Sequence, residues 1–389
     1  MESLKHQKLT VRAPGRINLL GEHLDYNHGL VLPAAIDRYI DFFFEESTSC
    51  TFNLEALDLG EQWQCKPADL YRAQASDWQV YLKGVLILLG LENTAILNRS
   101  KDFKGLSIRF TSNIPIGAGL SSSAALCCGF AFGLNEWFGL GKSKMELALI
   151  AQQTEHQFAG VNCGLMDQVA SLMGKADHLI AFDCHSHVIE PFSLPLADAQ
   201  LFLIDSKVKH NLATSAYNER RSQLERAFEQ ALELFPDLAN YRDLQAAQAT
   251  ELMRHLDSTV QKRLQYVLDE MTRVQQVRQV ALELNALASP ALYHKLGCLL
   301  SETHQGLRDL YEVSCPEVDF LQSGLLLLPG IFGARMMGGG FGGCLLVLAR
   351  SDFDWPCLDA LFSEYHVSYQ ISPRIEKVSL VDGVHLIES

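Results

Sequence analysis

Residues 115–124 read Pro-Ile-Gly-Ala-Gly-Leu-Ser-Ser-Ser-Ala, two glycines followed closely by three hydroxyl side chains. A glycine loop that leaves a strand and opens a helix can turn its peptide N–H groups and the helix dipole onto one point, which is the chemistry of phosphate binding. The serine hydroxyls could complete a magnesium shell whose other ligands are phosphate oxygens, water and a carboxylate. The same string also suits a tight turn with an N-cap, and alone it supports both readings. A second run, residues 333–343, has glycine at 338, 339, 340, 342 and 343. It either admits a close approach by another backbone or a ligand, or supports a tight loop between strands. Gly141-Lys142-Ser143 has the ending of a Walker A loop, but Glu136 stands where that loop needs glycine. Residues 117–122 fail the dinucleotide pattern in turn, because its third glycine position is Ser122.

A phosphate site in this chain has to work without a basic surface. The 389 residues hold 32 Lys and Arg against 46 Asp and Glu, a net charge of −14, with no basic stripe. Nucleic acid and anionic membranes are therefore poor partners, and peptide groups must supply the positive potential. Apolar residues at 48% and charged residues at 20% mark a chain that folds. Its ten cysteines show neither CxxC pairing nor zinc spacing, and scattered thiols in so large a chain point to a reducing compartment. His178, His185 and His187 have no acidic or cysteine partners at metal spacing and read as surface strand and turn residues. The first residues lack an apolar signal region, and the leucine-rich stretches at 85–91 and 325–328 are far too short for a membrane span. A cytoplasmic protein is expected.

The elements that must position these residues follow from periodicity. Residues 106–112 alternate as a half-buried strand and run straight into the first glycine loop, after which residues 124–138 and 143–158 read as helices. Residues 179–183 and 201–205 read as strands. Residues 215–310 are rich in Glu, Gln, Arg, Ala and Leu at helical spacing, interrupted at Pro236 and Pro290. Strand-like segments return at 344–349 and 376–381. A boundary near residue 198 divides a mixed α/β or α+β arrangement whose topology composition does not choose.

Residues 12–27, Arg-Ala-Pro-Gly-Arg-Ile-Asn-Leu-Leu-Gly-Glu-His-Leu-Asp-Tyr-Asn, resemble the N-terminal signature of the galactokinase family. Residues 115–124 resemble the second, ATP-binding motif of the GHMP small-molecule kinases, and residues 333–343 resemble their third, in that family's order and spacing. Residues 78–85 and 206–217 are similar to the same family, so the resemblance spans nearly the whole chain. It implies an α+β fold of two domains with the active site in the cleft between them. Residues 1–198 would form the mixed α/β domain, ribosomal-protein-like, and residues 199–389 a ferredoxin-like domain, with a final strand able to cross back to the first.

The resemblance also implies roles. In residues 162–168, Asn-Cys-Gly-Leu-Met-Asp-Gln, Asp167 matches the catalytic aspartate and Arg16 its partner. Glu22, His23, Asp25, Tyr217 and the backbone of Gly164 match sugar contacts. Gly117, Gly119, Leu120, Ser121, Ser122 and Ser123 match the phosphate loop, Ser121 and Glu155 the ligands of Mg2+, and Trp78 and Tyr81 aromatics beside adenine. Without the motifs, Arg16 and Asp167 read as a structural salt bridge, Trp78 and Tyr81 as core, and the acidic residues as surface groups or caps. Lys209 stands where many relatives carry arginine, keeping charge but losing the bidentate fork. The implied activity is phosphorylation of α-D-galactose by ATP at the anomeric hydroxyl, in a monomer that takes small molecules as partners. N-acetylgalactosamine or arabinose are alternative substrates, and a non-catalytic galactose and ATP sensor is an alternative role. Intact Asp167, Arg16 and Ser123-Ala124 favour the enzyme.

Overall fold

Alternation over residues 8–13 of Lys8–Asn18 (β1) buries Leu9, Val11 and Ala13 on one face, and the strand pairs antiparallel with Pro33–Glu46 (β3). The register shifts between Pro14 and Arg16, so a bulge at Gly15 re-aims the Arg16 side chain. A Cβ on Gly15 would stand 2.8 Å from the Leu120 carbonyl oxygen, so glycine lets the first glycine loop lie directly on the bulge. The computed structural model describes residues 8–93, 97, 103–115, 117–208 and 213–387. Lys209 lies outside the described residues.

Between β1 and β3 lies the two-residue strand Leu30–Val31 (β2). Phe52–Ala56 (β4), Glu61–Cys65 (β5) and Leu106–Ser112 (β6) complete the first sheet with a strand from the far C-terminus. Its order is β13-β1-β3-β6-β4-β5, where β13 is His385–Leu386 and pairs with β1 at Val11 and Arg12. The C-terminus thus crosses back to the first sheet. Helices Trp78–Leu88 (α1), Ser122–Phe138 (α2), Lys144–Thr154 (α3) and Met166–Met173 (α4) follow in this half of the chain. Gly129 and Gly133 let α2 press onto Phe42 and Phe44, where a Cβ would stand 2.6 Å and 2.2 Å from the rings. Ser143 caps α3 in a reciprocal capping box with Glu146. The helix expected over 143–158 gives way at Glu155–Ala159 to one π-helical turn.

His178–Asp183 (β7) and Ile189–Ser193 (β8) join β2 in a three-stranded sheet, and Ala199–Asp205 (β9) opens the second half. The helical stretch resolves into Ala213–Leu234 (α5), Ala246–His255 (α6), Ser258–Ala286 (α7) and Pro290–Asp309 (α8), with Pro290 in the first turn of α8. Pro316–Leu325 (α9), Ile331–Met336 (β10), Cys344–Arg350 (β11), Leu358–Tyr369 (α10) and Arg374–Lys377 (β12) complete the chain before β13. The second sheet runs β10-β11-β9-β12. The strand expected over 376–381 ends at Lys377, because the chain then runs beside β3 and keeps only the bridge between Ile36 and Leu380.

Candidate active site

The first glycine loop turns through Gly117 at φ +75° and Gly119 at φ +74° and enters α2 through Ser121, itself left-handed at φ +57°. The first helical bond runs from Ala125 N–H to the Ser121 carbonyl, so the N–H groups of Ser122, Ser123 and Ala124 head the helix without partners inside it. This is the anion-binding end of a 17-residue dipole. The loop is clamped on both sides. Arg16 N–H donates to the Leu120 carbonyl at 3.2 Å, and Cys344 N–H donates to the Ala118 carbonyl at 3.1 Å.

Arg16 and Asp167, 151 residues apart, meet as a fork. Nε donates to Oδ1 at 2.7 Å and Nη2 to Oδ2 at 2.9 Å, while Nη1 donates to the Gly119 carbonyl at 2.6 Å. Ser121 Oγ donates to Asp167 Oδ2. Burial alone would lower the Arg16 pKa, but Asp167, Glu22 and Asp25 around it leave it raised. Asp167 sits in the first turn of α4, on the wall of a cavity of about 260 Å³ shared with Arg16, Glu22, His23, Asp25 and Tyr217.

The acidic residues of that cavity differ in support. Glu22 Oε1 pairs with Arg335 Nη2 at 3.0 Å and accepts from Gly338 N–H at 2.9 Å. Among the described residues Asp25 has no ion-pair partner, and burial, with Asp167 and Glu22 nearby, pushes its carboxyl up to about 7. A Cβ on Gly164 would stand 2.1 Å from Asp25 Oδ2, so glycine at 164 is what lets the carboxylate sit there. His23, at φ +62°, bonds Tyr26 Oη through Nδ1 at 2.8 Å and leaves Nε2 buried without a partner. Burial, helped by Arg220 and Arg335, lowers its pKa to about 3, so the ring is neutral. Tyr217 packs against His23 with centroids 5.5 Å apart.

Glu155 is buried on the π-helical turn, accepting from Ser123 Oγ at 3.1 Å and Gln168 Nε2 at 2.8 Å. Burial, then Asp167, pushes it up to about 7. The hydroxyl on Glu155 is therefore Ser123, whereas Ser121, the expected metal partner, is committed to Asp167. The expected adenine aromatics lie off the cavity lining. Trp78 donates its indole N–H to Glu61 at 2.7 Å and packs edge-on against Phe110, and Tyr81 is half-buried, its pKa raised to about 12 by burial and then by Glu155.

The sequence reading missed the residues behind the loop of Gly21 to Asp25. Arg335 lies inside the second glycine run, where its motif drew attention to glycines alone. Glu270 and Tyr266, on α7, hold the Gly21 N–H at 2.8 Å and the Glu22 carbonyl at 3.1 Å, and Glu270 is one acidic residue among many in a helical stretch. His187 is exposed, as expected, and it also lines a second cavity of about 420 Å³ that shares Asp25 and Cys163 with the first.

Three family profiles match the chain: the galactokinase galactose-binding signature over residues 2–44, the GHMP kinases N terminal domain over 85–175 and the GHMP kinases C terminal domain over 288–354. The galactokinase of Thermosipho africanus strain TCF52B is 38% identical, covering 98% of this chain and 100% of its own length. The chain belongs to the galactokinase family of the GHMP kinases. The Thermotoga maritima galactokinase is 36% identical over 97% of the chain and 100% of its own length. Lactococcus lactis galactokinase complexed with galactose superposes with a TM-score of 0.87 at 27% identity, covering 98% of this chain and 95% of that one. A mevalonate kinase at 16% identity and TM-score 0.61, covering 96% of this chain and 99% of its own, shares the fold. Within the galactokinase-family assignment, Arg16, Glu22, His23 and Asp25 fall in the galactose-binding signature and Ser121, Glu155 and Asp167 in the N-terminal profile. Arg335 and Gly338 fall in the C-terminal profile.

Proposed function

We propose that the chain transfers the γ-phosphoryl group of ATP to the anomeric hydroxyl of α-D-galactose, giving galactose 1-phosphate and ADP. ATP-dependent phosphorylation of galactose is the family's activity, and it is the activity of this chain. The observation that carries the site assignment is the Arg16–Asp167 fork facing the cavity beside the head of α2.

Phosphoryl transfer passes through a loose transition state with charge spread over the moving group, so alignment and electrostatics do most of the work. Asp167, held at both oxygens by Arg16 and at one by Ser121, orients the sugar hydroxyl and accepts its proton late in the transfer. Arg16 offsets charge near the Gly119 carbonyl it also holds. Glu22, neutral His23, Asp25 and Tyr217 meet the other hydroxyls, and the unpartnered Nε2 of His23 accepts or donates one bond there. The N–H groups of Ser122 and Ser123 at the head of α2 receive phosphate oxygens. The donor set fits Mg2+. Glu155 and Ser123 would hold it, and Glu155 is a buried carboxylate with only a hydroxyl and an amide on it. When bound, the ion neutralises phosphate charge. We read the chain as cytoplasmic, on its ten free thiols.

The test is ADP release over a panel of galactose, N-acetylgalactosamine and arabinose, repeated with Asp167→Asn. Galactose should be preferred, and the variant should bind galactose with turnover reduced at least a hundredfold. Near-normal turnover in Asp167→Asn refutes the assigned role, and galactose binding with no ADP release by the wild type would favour a sensor.

A further inference from the structure

The second glycine run has no task in the reaction as drawn above, yet it touches both halves of the site. Arg335, on β10, is wholly buried. Its Nε donates to the Leu19 carbonyl at 2.9 Å, Nη1 to the Met336 carbonyl at 3.0 Å, and Nη2 to the Asn18 carbonyl and, at 3.0 Å, to Glu22 Oε1. The side chain therefore holds the last residue of β1, the residue after it and a carboxylate of the sugar cavity with one rigid fork. Three residues on, Gly338 N–H donates to the same Glu22 oxygen at 2.9 Å. A Cβ on Gly338 would lie 3.4 Å from the Gly119 carbonyl oxygen, which places this backbone against the phosphate loop as well.

The strand that carries Arg335 is itself fixed. A Cβ on Gly333 would stand 1.9 Å from the Gly297 carbonyl oxygen, so β10 and α8 meet backbone to backbone. Met336 N–H donates to His304 Nδ1 at 3.1 Å, and His304 Nε2 meets Asp319 at 3.1 Å. A buried guanidinium on a fixed strand, with one carboxylate partner that lines the cavity, is built to aim that partner.

We propose that Arg335 is a positioning residue that sets Glu22 for galactose. It does not touch the sugar, since the cavity lining holds Glu22 and not Arg335. The proposal rests on the galactokinase reading above. Losing an interaction made equally in the bound ground state and the transition state raises KM and leaves kcat alone. Arg335→Lys keeps the charge and loses the fork, so galactose KM and calorimetric Kd rise at least tenfold, with kcat and ATP KM within about threefold of wild type. A role confined to stability instead lowers the melting temperature and the active fraction, and leaves galactose KM where it was.

A folded Arg335→Lys with galactose KM within twofold of wild type overturns the proposal, as does an equal rise in ATP KM. Hydrogen exchange on the wild type gives an answer even where that variant does not fold. Galactose should slow exchange in peptides spanning 335–338 together with those spanning 18–23, and protection confined to 18–23 overturns it. Wild-type protein that does not turn over galactose sinks the underlying reading instead, which keeps the two failures apart.

Discussion

Gly164→Ala isolates one contact of the proposed galactose site. Gly164 carries none of the positive φ values found at other glycines, so alanine meets no backbone strain there. Its Cβ would instead stand 2.1 Å from Asp25 Oδ2, 2.3 Å from Cγ and 2.6 Å from Cβ. Ordinary contact begins near 3.4 Å, so the Asp25 carboxylate must retreat by about 1 Å. A charge-assisted hydrogen bond to a sugar hydroxyl is worth about 1.5–3 kcal/mol, and 1.4 kcal/mol is tenfold, so kcat/KM for galactose falls by about 10- to 150-fold. KM for ATP stays within about twofold, because the proposed role of Asp25 is to meet the sugar.

Gly160→Ala is the matched control in the same loop. Gly160 is at φ +70° with nothing within 4 Å of a Cβ, so alanine costs about 1–2 kcal/mol of stability and leaves the kinetics alone. The assay is steady-state ADP release with galactose and ATP varied separately, alongside thermal melts of both variants. Galactose KM within twofold of wild type in a folded Gly164→Ala, or equal kinetic losses in the two variants, refutes the assignment of Asp25 to the sugar.

Ser121 and Ser123, two of the three serines of the proposed phosphate loop, should separate. Ser121→Ala removes the hydroxyl on Asp167 and lowers kcat about tenfold at unchanged magnesium requirement, whereas Ser123→Ala raises the magnesium needed for half activity about tenfold with near-normal saturated kcat; the reverse pattern in a magnesium titration refutes both roles. The pH dependence follows from Asp25 and Glu155, each raised to about 7 from ordinary values of 3.8 and 4.5. Between pH 4 and 7 the ligand-free folded chain keeps protons that the unfolded chain has released, so these two groups contribute stability that is full below about pH 4 and lost as pH rises through 7. A cation on Glu155 favours its ionised form, so magnesium-nucleotide affinity should rise up to about tenfold per unit toward pH 7 and level off above it; calorimetry showing no proton release at pH 6.5 refutes the pairing.

How much of this was readable from the chain depended on whether the signal was local. Strand 106–112 and the loop after it were legible because period-two alternation and a Pro-Gly-Ser cluster act within a dozen residues, and β6 and α2 form where they indicate. The glycine loop by its own chemistry left a phosphate site and a capped turn both open, and only the motif resemblance favoured the phosphate. Arg16 and Asp167 were legible only through motif resemblance, since nothing between them announces a fork across 151 positions. Arg335 and Glu270 were not legible at all. Each is a charged residue whose meaning comes from total burial against a loop some 250 to 310 residues earlier, and burial of a lone Arg or Glu leaves no periodic trace. That Ser121 Oγ meets Asp167 while Ser123 Oγ meets Glu155 was likewise not legible, because the left-handed backbone at Ser121 has no signature in a run of three serines.

The net charge of −14 bears on the same site in a more specific way than it bears on the surface. Four carboxylates line the cavity, and two of them are answered by buried forks, Asp167 by Arg16 and Glu22 by Arg335. The other two, Asp25 and Glu155, have no fork and reach neutral pH partly protonated. We infer that protons held on these two groups limit the negative charge of the ligand-free site. On the roles proposed above, galactose brings hydroxyl donors to Asp25 and a magnesium-bound nucleotide would bring positive charge to Glu155, so each ligand should displace a proton from its own side of the cavity. Proton release measured for each ligand separately assigns the sides, and Glu155→Gln should abolish only the nucleotide's share.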